Sequence, residues 1–208
     1  MKLDAVKKLF PEGFTLEMDF LDETIKKLNL PTDAKVLDIG TGYGIMAILL
    51  ALNGLDVLTG QPEVDQEWDQ LKEELGENTH HDEHHHHETG SDWKESAKKA
   101  GINHKIKFQY LDAERLSFSA ESFDGVFLYD ALQHIKNREV ALSECLRVTK
   151  PSGSVCAIET NKKGIEYYQK MEGFTIDYID PRDLLEPKTF STEVFTGKLV
   201  NAYVVRKI

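Results

Sequence analysis

Residues Val36 to Gly44 read V-L-D-I-G-T-G-Y-G, and few backbone geometries accommodate that stretch. A short β-rich run ends in an acid, Asp38. Three glycines follow at alternate positions, Gly40, Gly42 and Gly44. An apolar helical pattern starts at once with Ile45-Met46-Ala47-Ile48-Leu49-Leu50-Ala51-Leu52. A strand that turns through glycines into a helix brings bare backbone close to a ligand. The helix N-terminus adds unpaired N–H groups and a partial positive charge. The stretch therefore predicts the floor of a nucleotide-type pocket in an α/β domain. Its spacing is not that of the dinucleotide fingerprint G-x-G-x-x-G, whose third glycine would fall at Ile45. A nicotinamide oxidoreductase is disfavoured on that ground.

The rest of the chain alternates strand and helix patterns. Apolar positions at helical spacing (Leu16, Phe20, Leu21, Ile25, Leu28) predict an N-terminal helix closed by Pro31. Strands are expected at Lys35 to Ile39, Asp56 to Thr59, Lys105 to Tyr110, Gly125 to Tyr129 and Ser154 to Ile158. Helices are expected from Gly44 to Asn53-Gly54, and over Glu139 to Thr149 ahead of Pro151 and Gly153. Strands interleaved with helices imply a mostly parallel sheet covered on both faces. Phe174 to Ile179 and Leu199 to Arg206 read as two further strands that pair as an antiparallel end. The 208 residues read as a single domain: a helical segment over 1–30, an acidic histidine-rich insertion over 64–91, and C-terminal strands with a substrate cap over 159–208.

The D-x-G-x-G-x-G turn, taken with later segments in order, resembles the class I S-adenosylmethionine-dependent methyltransferases over about residues 30 to 160. The resemblance implies a three-layer α/β sandwich on a seven-stranded, mostly parallel sheet with an antiparallel C-terminal hairpin. It also implies an S-adenosylmethionine site at Asp38, Gly40, Thr41, Gly42 and Gly44. In this family an acid after the second strand holds the ribose hydroxyls. The usual place falls on Pro62, so Glu63, one residue on, is the candidate. Asp112 and Ala113, after the third strand, look like the adenine site. Phe123 to His134 resembles the fourth-strand motif, whose end lines the methionine part of the cofactor and brings in Tyr129. His134 is the first candidate for a base, since imidazole ordinarily titrates near neutrality, and Tyr129 and Asp130 are alternatives. The family's N-P-P-Y-type tetrad and Pro-Cys nucleophile are absent from the sequence, which argues against common DNA and glutamine methylation.

The net charge of −11 is local. Between Gln61 and Trp93 eleven acidic residues face a single lysine, Lys72, leaving the remainder almost neutral. A near-neutral body has no basic stripe for phosphate backbones, so nucleic acid is not an expected partner. No run reaches membrane-span length, and the first residues show no signal-peptide pattern. Two cysteines, Cys145 and Cys156, make no disulfide framework. A cytoplasmic protein acting on a small-molecule acceptor is the expectation, with its oligomeric state open.

The insertion also holds His80, His81, His84, His85, His86 and His87 among carboxylates. Such a tract can bind zinc or nickel without fixing one geometry. It leaves the sheet beside the cofactor mouth. The alternative to an enzyme is a non-catalytic protein that uses the fold as a scaffold for a metal-binding or partner-binding loop.

Overall fold

A computed structural model describes residues 2–10, 12–63, 91–173, 175–186 and 189–208. Three short helices lead in, α1 (Leu3–Lys7), α2 (Glu12–Thr15) and α3 (Met18–Lys27). Strand β1 (Lys35–Ile39), helix α4 (Ile45–Leu52) and strand β2 (Asp56–Gln61) follow. Next come helix α5 (Ser91–Lys99) and strands β3 (Ile106–Tyr110) and β4 (Phe123–Tyr129). Helix α6 (Arg138–Val148) leads into strand β5 (Thr149–Thr160) and helix α7 (Lys162–Glu172). Strands β6 (Phe190–Thr196) and β7 (Val200–Lys207) close the chain.

The seven strands lie in the order β3-β2-β1-β4-β5-β7-β6. The first five are parallel, and β7 runs antiparallel to both β5 and β6. The order reverses between β1 and β4, and a crevice at such a switch point is where ligands enter open α/β sheets.

Side chains alternate across the sheet, as a strand period of two requires. Val36, Val57, Phe127, Cys156 and Ile158 join one buried cluster with Leu21 and Ile25 of α3, Ile48 of α4 and Trp93 of α5. Leu37, Ile39, Val126, Leu128, Val155 and Ala157 join the other with Ala141, Leu142 and Cys145 of α6. Covering both faces explains why β1 and β4 are near-continuous apolar runs. It also explains why α4 is apolar all round: Ile45 through Ala51 are all buried. The three-layer sandwich and the antiparallel end agree with the sequence.

Two elements differ from expectation. The stretch 175–180 forms no strand, and the hairpin is built instead from β6 and β7. Both sides of β7 are taken, by β5 and β6, so no partner edge there is left for the earlier segment. Helix α7 was not foreseen. It is bracketed by Asn161, whose side chain accepts from Gly164 N, and by Gly173 at φ +78°.

Both cysteines are buried and free, and burial pushes each thiol up to about 12, so neither is a thiolate at neutral pH. Among the described residues no helix is long and apolar enough to cross a membrane. The histidine tract lies outside the described residues.

Candidate functional site

The glycine turn sits at the carboxyl end of β1. Gly40, Gly42 and Gly44 adopt φ of +87°, +44° and +71°, values that L side chains resist. Each glycine answers a different demand. A Cβ on Gly40 would meet the Ala131 Cβ at 3.0 Å, so this glycine lets the turn touch the end of β4. A Cβ on Gly44 would stand 2.5 Å from the Trp93 Cβ, so this one lets α5 pack on the start of α4. At Gly42 a Cβ would find, among the described residues, only the Gly40 carbonyl oxygen, at 3.9 Å. That position faces open space and is where a ligand can come up against backbone.

Under the turn lies a buried polar triad. Thr59 Oγ1 donates to Asp38 Oδ2 at 2.7 Å and stands 2.8 Å from Thr41 Oγ1. Asp38 Oδ1 is buried with no hydrogen-bond partner among the described residues. Burial, only partly offset by the Thr59 bond, pushes the Asp38 carboxyl up to about 7. A buried carboxylate oxygen below the glycine turn is the kind of acceptor that a donor or a cation satisfies.

The neighbouring strand ends complete the rim. Gln61 Oε1 accepts from Gly42 N at 3.2 Å, and Leu111 N donates to the Gln61 carbonyl at 3.0 Å. Gln61 therefore ties β2 to the glycine turn, whereas Glu63 is exposed beyond the strand end. Sequence spacing passed over Gln61 because it sought an acid. Asp112 is exposed and caps its own turn by accepting from Glu114 N at 2.8 Å, and Ala113 is buried beside it.

At the end of β4, Tyr129 and Asp130 are partly buried, and His134 is exposed on a 3₁₀ turn, Leu132–His134. Burial, with Asp130, Tyr168, Glu17 and Glu159 nearby, pushes the Tyr129 phenol up, so it stays protonated and can donate but not act as a base. Asp130 holds φ +54° and accepts from Thr160 Oγ1 at 3.2 Å. Its carboxyl is also pushed up by burial, while His134 pulls the other way. Arg182, in the C-terminal stretch read as a cap, is already engaged by Asp180 at 2.5 Å and lies over the Tyr203 ring.

Two buried acids at this end were not singled out from sequence. Glu159 closes the apolar run of β5 and is 3% exposed. Glu17, 4% exposed, accepts from Leu199 N at 2.7 Å and fastens the start of α3 to the β6–β7 hairpin. Glu159 had a legible signal, a lone acid ending a buried strand, the same signal that singled out Asp38.

Comparison with known proteins bears on this geometry. Residues 80–157 match the family described as a methyltransferase domain, a segment that excludes the glycine turn. An S-adenosyl-L-methionine-dependent Diels-Alderase, iccD of Talaromyces variabilis, is 30% identical over 138 residues, 65% of this chain and 39% of that protein. The mitochondrial ubiquinone biosynthesis O-methyltransferase of Rattus norvegicus is 24% identical over 186 residues, 81% of this chain and 48% of that protein. The chain spans less than half the length of these two curated relatives. The crystal structure of the PH0226 protein from Pyrococcus horikoshii OT3 superposes with a TM-score of 0.65 at 19% identity, covering 96% of this chain and 93% of that one. Together the matches show a shared fold and, over residues 80–157, similarity to a methyltransferase domain, without specifying an acceptor.

Proposed function

We propose that the chain is an S-adenosylmethionine-dependent methyltransferase that moves a methyl group to a small-molecule acceptor by in-line displacement. The carrying observation is the glycine turn, open at Gly42, that follows a buried Asp38 oxygen with no partner among the described residues. The residues present fit the cofactor: glycine backbone and the α4 N-terminus for close approach, Asp38 for a donor or cation, and Gln61, with Glu63 beyond it, for hydroxyls. Asp112 and Ala113 would hold the base, and Tyr129 the methionine end. When bound, the cofactor supplies a methyl already activated on a sulfonium.

The chain's own residues then have a positioning task, worth roughly 7–11 kcal/mol of a displacement barrier when geometry is good. Tyr129 offers a hydroxyl donor. His134 takes a proton only if the acceptor arrives protonated. The name of the rat relative concerns ubiquinone biosynthesis, which supports a small organic acceptor over a macromolecule. Residues 1–208 act in this reading as one domain, with 64–91 as an insertion and 159–208 contributing to an acceptor cap.

The first test is calorimetric titration with S-adenosylhomocysteine. Micromolar binding is expected, and Asp112→Ala should weaken it about tenfold, the size of one lost hydrogen bond to a charged group. Absence of binding by the unmodified protein would leave the scaffold reading in its place. A second catalytic reading is favoured by the Diels-Alderase relative: the same pocket would serve a cycloaddition in which no methyl moves. Detection of a methylated product together with S-adenosylhomocysteine would dismiss it.

The reading extends to a zinc or nickel ion at His80, His81, His84, His85, His86 and His87, supported by six imidazoles interleaved with carboxylates. Metal-stripped protein should take up either ion with micromolar affinity, and S-adenosylhomocysteine should bind more tightly once it has. Equal cofactor affinity with and without metal would remove any link between tract and pocket.

A further inference from the structure

The turn after β4 is held in place by three consecutive residues of β5. Asp130 N donates to the Ile158 carbonyl at 2.8 Å. Leu132 N donates to Glu159 Oε1 at 3.1 Å, and Thr160 Oγ1 donates to Asp130 Oδ1 at 3.2 Å. From the opposite side Arg138 Nε donates to the Leu132 carbonyl at 2.9 Å. The turn is therefore gripped at both its N–H and C=O groups. At its head Asp130 sits at φ +54°, a conformation that persists in a non-glycine residue only where the surroundings over-determine it. The Glu159 carboxyl, 3% exposed, is thus turned to the main chain of this turn through the Leu132 N–H.

We propose that Glu159 is a positioning residue: it fixes the turn that presents Asp130 and His134 at the carboxyl end of β4. What the turn is held for rests on the methyltransferase reading; the clamp itself does not. The charged groups facing Glu159 are Asp130 from β4 and Arg138 from α6. His134 reaches it through Asp130, and Glu17 approaches Tyr129 from the start of α3. Asn201 lies directly across on β7. Burial first, and then Asp130, push the Glu159 carboxyl up to about 8, while the turn's backbone N–H groups and Arg138 oppose the shift. The grip on Leu132 therefore changes from a neutral to a charged acceptor as pH passes that value, and charged acceptors bind N–H more strongly.

The test reads the turn directly, on the ligand-free full chain. Hydrogen exchange at Leu132 N, corrected for its intrinsic pH dependence, should slow above about pH 8 in the unmodified protein. Glu159→Gln keeps an acceptor oxygen but cannot ionise. It should leave Leu132 protected within about threefold at pH 7 and abolish the pH step. Glu159→Ala should speed exchange at Leu132 at least thirtyfold beyond any change at amides elsewhere in the sheet. It should also displace the His134 imidazole resonances and weaken S-adenosylhomocysteine about tenfold. If Glu159→Ala does not fold, the Gln variant decides alone: a retained pH step overturns the proposal. So does unchanged Leu132 exchange in a folded Ala variant. Failure of the unmodified protein to bind S-adenosylhomocysteine would count against the methyltransferase reading only, because exchange and resonance shifts still judge the clamp.

Discussion

Gly44→Ala is expected to cost about 2–5 kcal/mol of stability, while Gly42→Ala keeps the fold and loses the cofactor. The two glycines stand two residues apart, both at positive φ, yet a methyl group meets different surroundings at each. At Gly44 it would lie 2.5 Å from the Trp93 Cβ and 3.0 Å from its Cγ, so α4 and α5 would have to shift apart. Left-handed strain of roughly 1–2 kcal/mol adds to an overpacking cost of about 1–3 kcal/mol. Against a typical stability of about 5–15 kcal/mol, that sum leaves a marginal protein. At Gly42 the methyl meets no side chain among the described residues, and only the strain applies. It fills the cradle instead, and S-adenosylhomocysteine affinity should fall roughly thirtyfold or more, about 2 kcal/mol. Thermal unfolding and calorimetry on both variants separate the effects. A Gly42→Ala protein that binds as tightly as its parent would mean the open face of the turn is not the ligand cradle.

The contrast between these glycines also marks what a sequence can disclose. The spacing Asp38-x-Gly40-x-Gly42-x-Gly44 is local, so the turn and the strand and helix around it were legible. Which glycine answers to the ligand and which to Trp93 was not, because Trp93 comes 49 positions later in the chain. The same limit applies at the other end of the sheet. Phe174 to Ile179 is as β-prone as Phe190 to Thr196, but only one segment can take the free edge of β7, and local pattern does not choose between them. Helix α7 carries a glycine, Gly164, which lowers its local helical tendency. The structure supplies the reason for it: a Cβ there would sit 2.1 Å from the Leu199 carbonyl oxygen, so only glycine lets the helix lie against the hairpin. At the site, a search for an acid led to Glu63. The β2–β3 register, in which Gln61 stands opposite Tyr110, instead carries the strand to Gln61 and places its amide on the turn.

Asp38→Asn is expected to make the protein more stable at pH 8 and a poorer binder of its cofactor. The folded carboxyl keeps its proton up to about 7, whereas the unfolded chain releases it near 3.8. Between those values the unfolded state holds fewer protons than the folded one, so stability falls as pH rises through that window and is level above it. Below about pH 4 both states are protonated and the penalty vanishes. Asparagine cannot ionise and still offers an oxygen to Thr59 Oγ1. It should therefore recover roughly 1–3 kcal/mol at pH 8, part of what a shift of this size represents at about 1.4 kcal/mol per unit, and almost nothing at pH 4. The residue nevertheless leaves one buried oxygen without a partner among the described residues, which makes sense if a ligand cation or donor completes it. Removing the charge should then weaken S-adenosylhomocysteine by about ten- to a hundredfold, the range for hydrogen bonds to charged groups. Linkage adds a sharper sign. A ligand that pairs with the carboxylate binds more tightly as pH rises through 7 in the parent, and the variant lacks that rise. Denaturation midpoints at pH 4 and pH 8 with calorimetry from pH 6 to 8 test both halves. A stabilised variant with undiminished affinity would place the cofactor away from Asp38, and the pocket assignment would have to move with it.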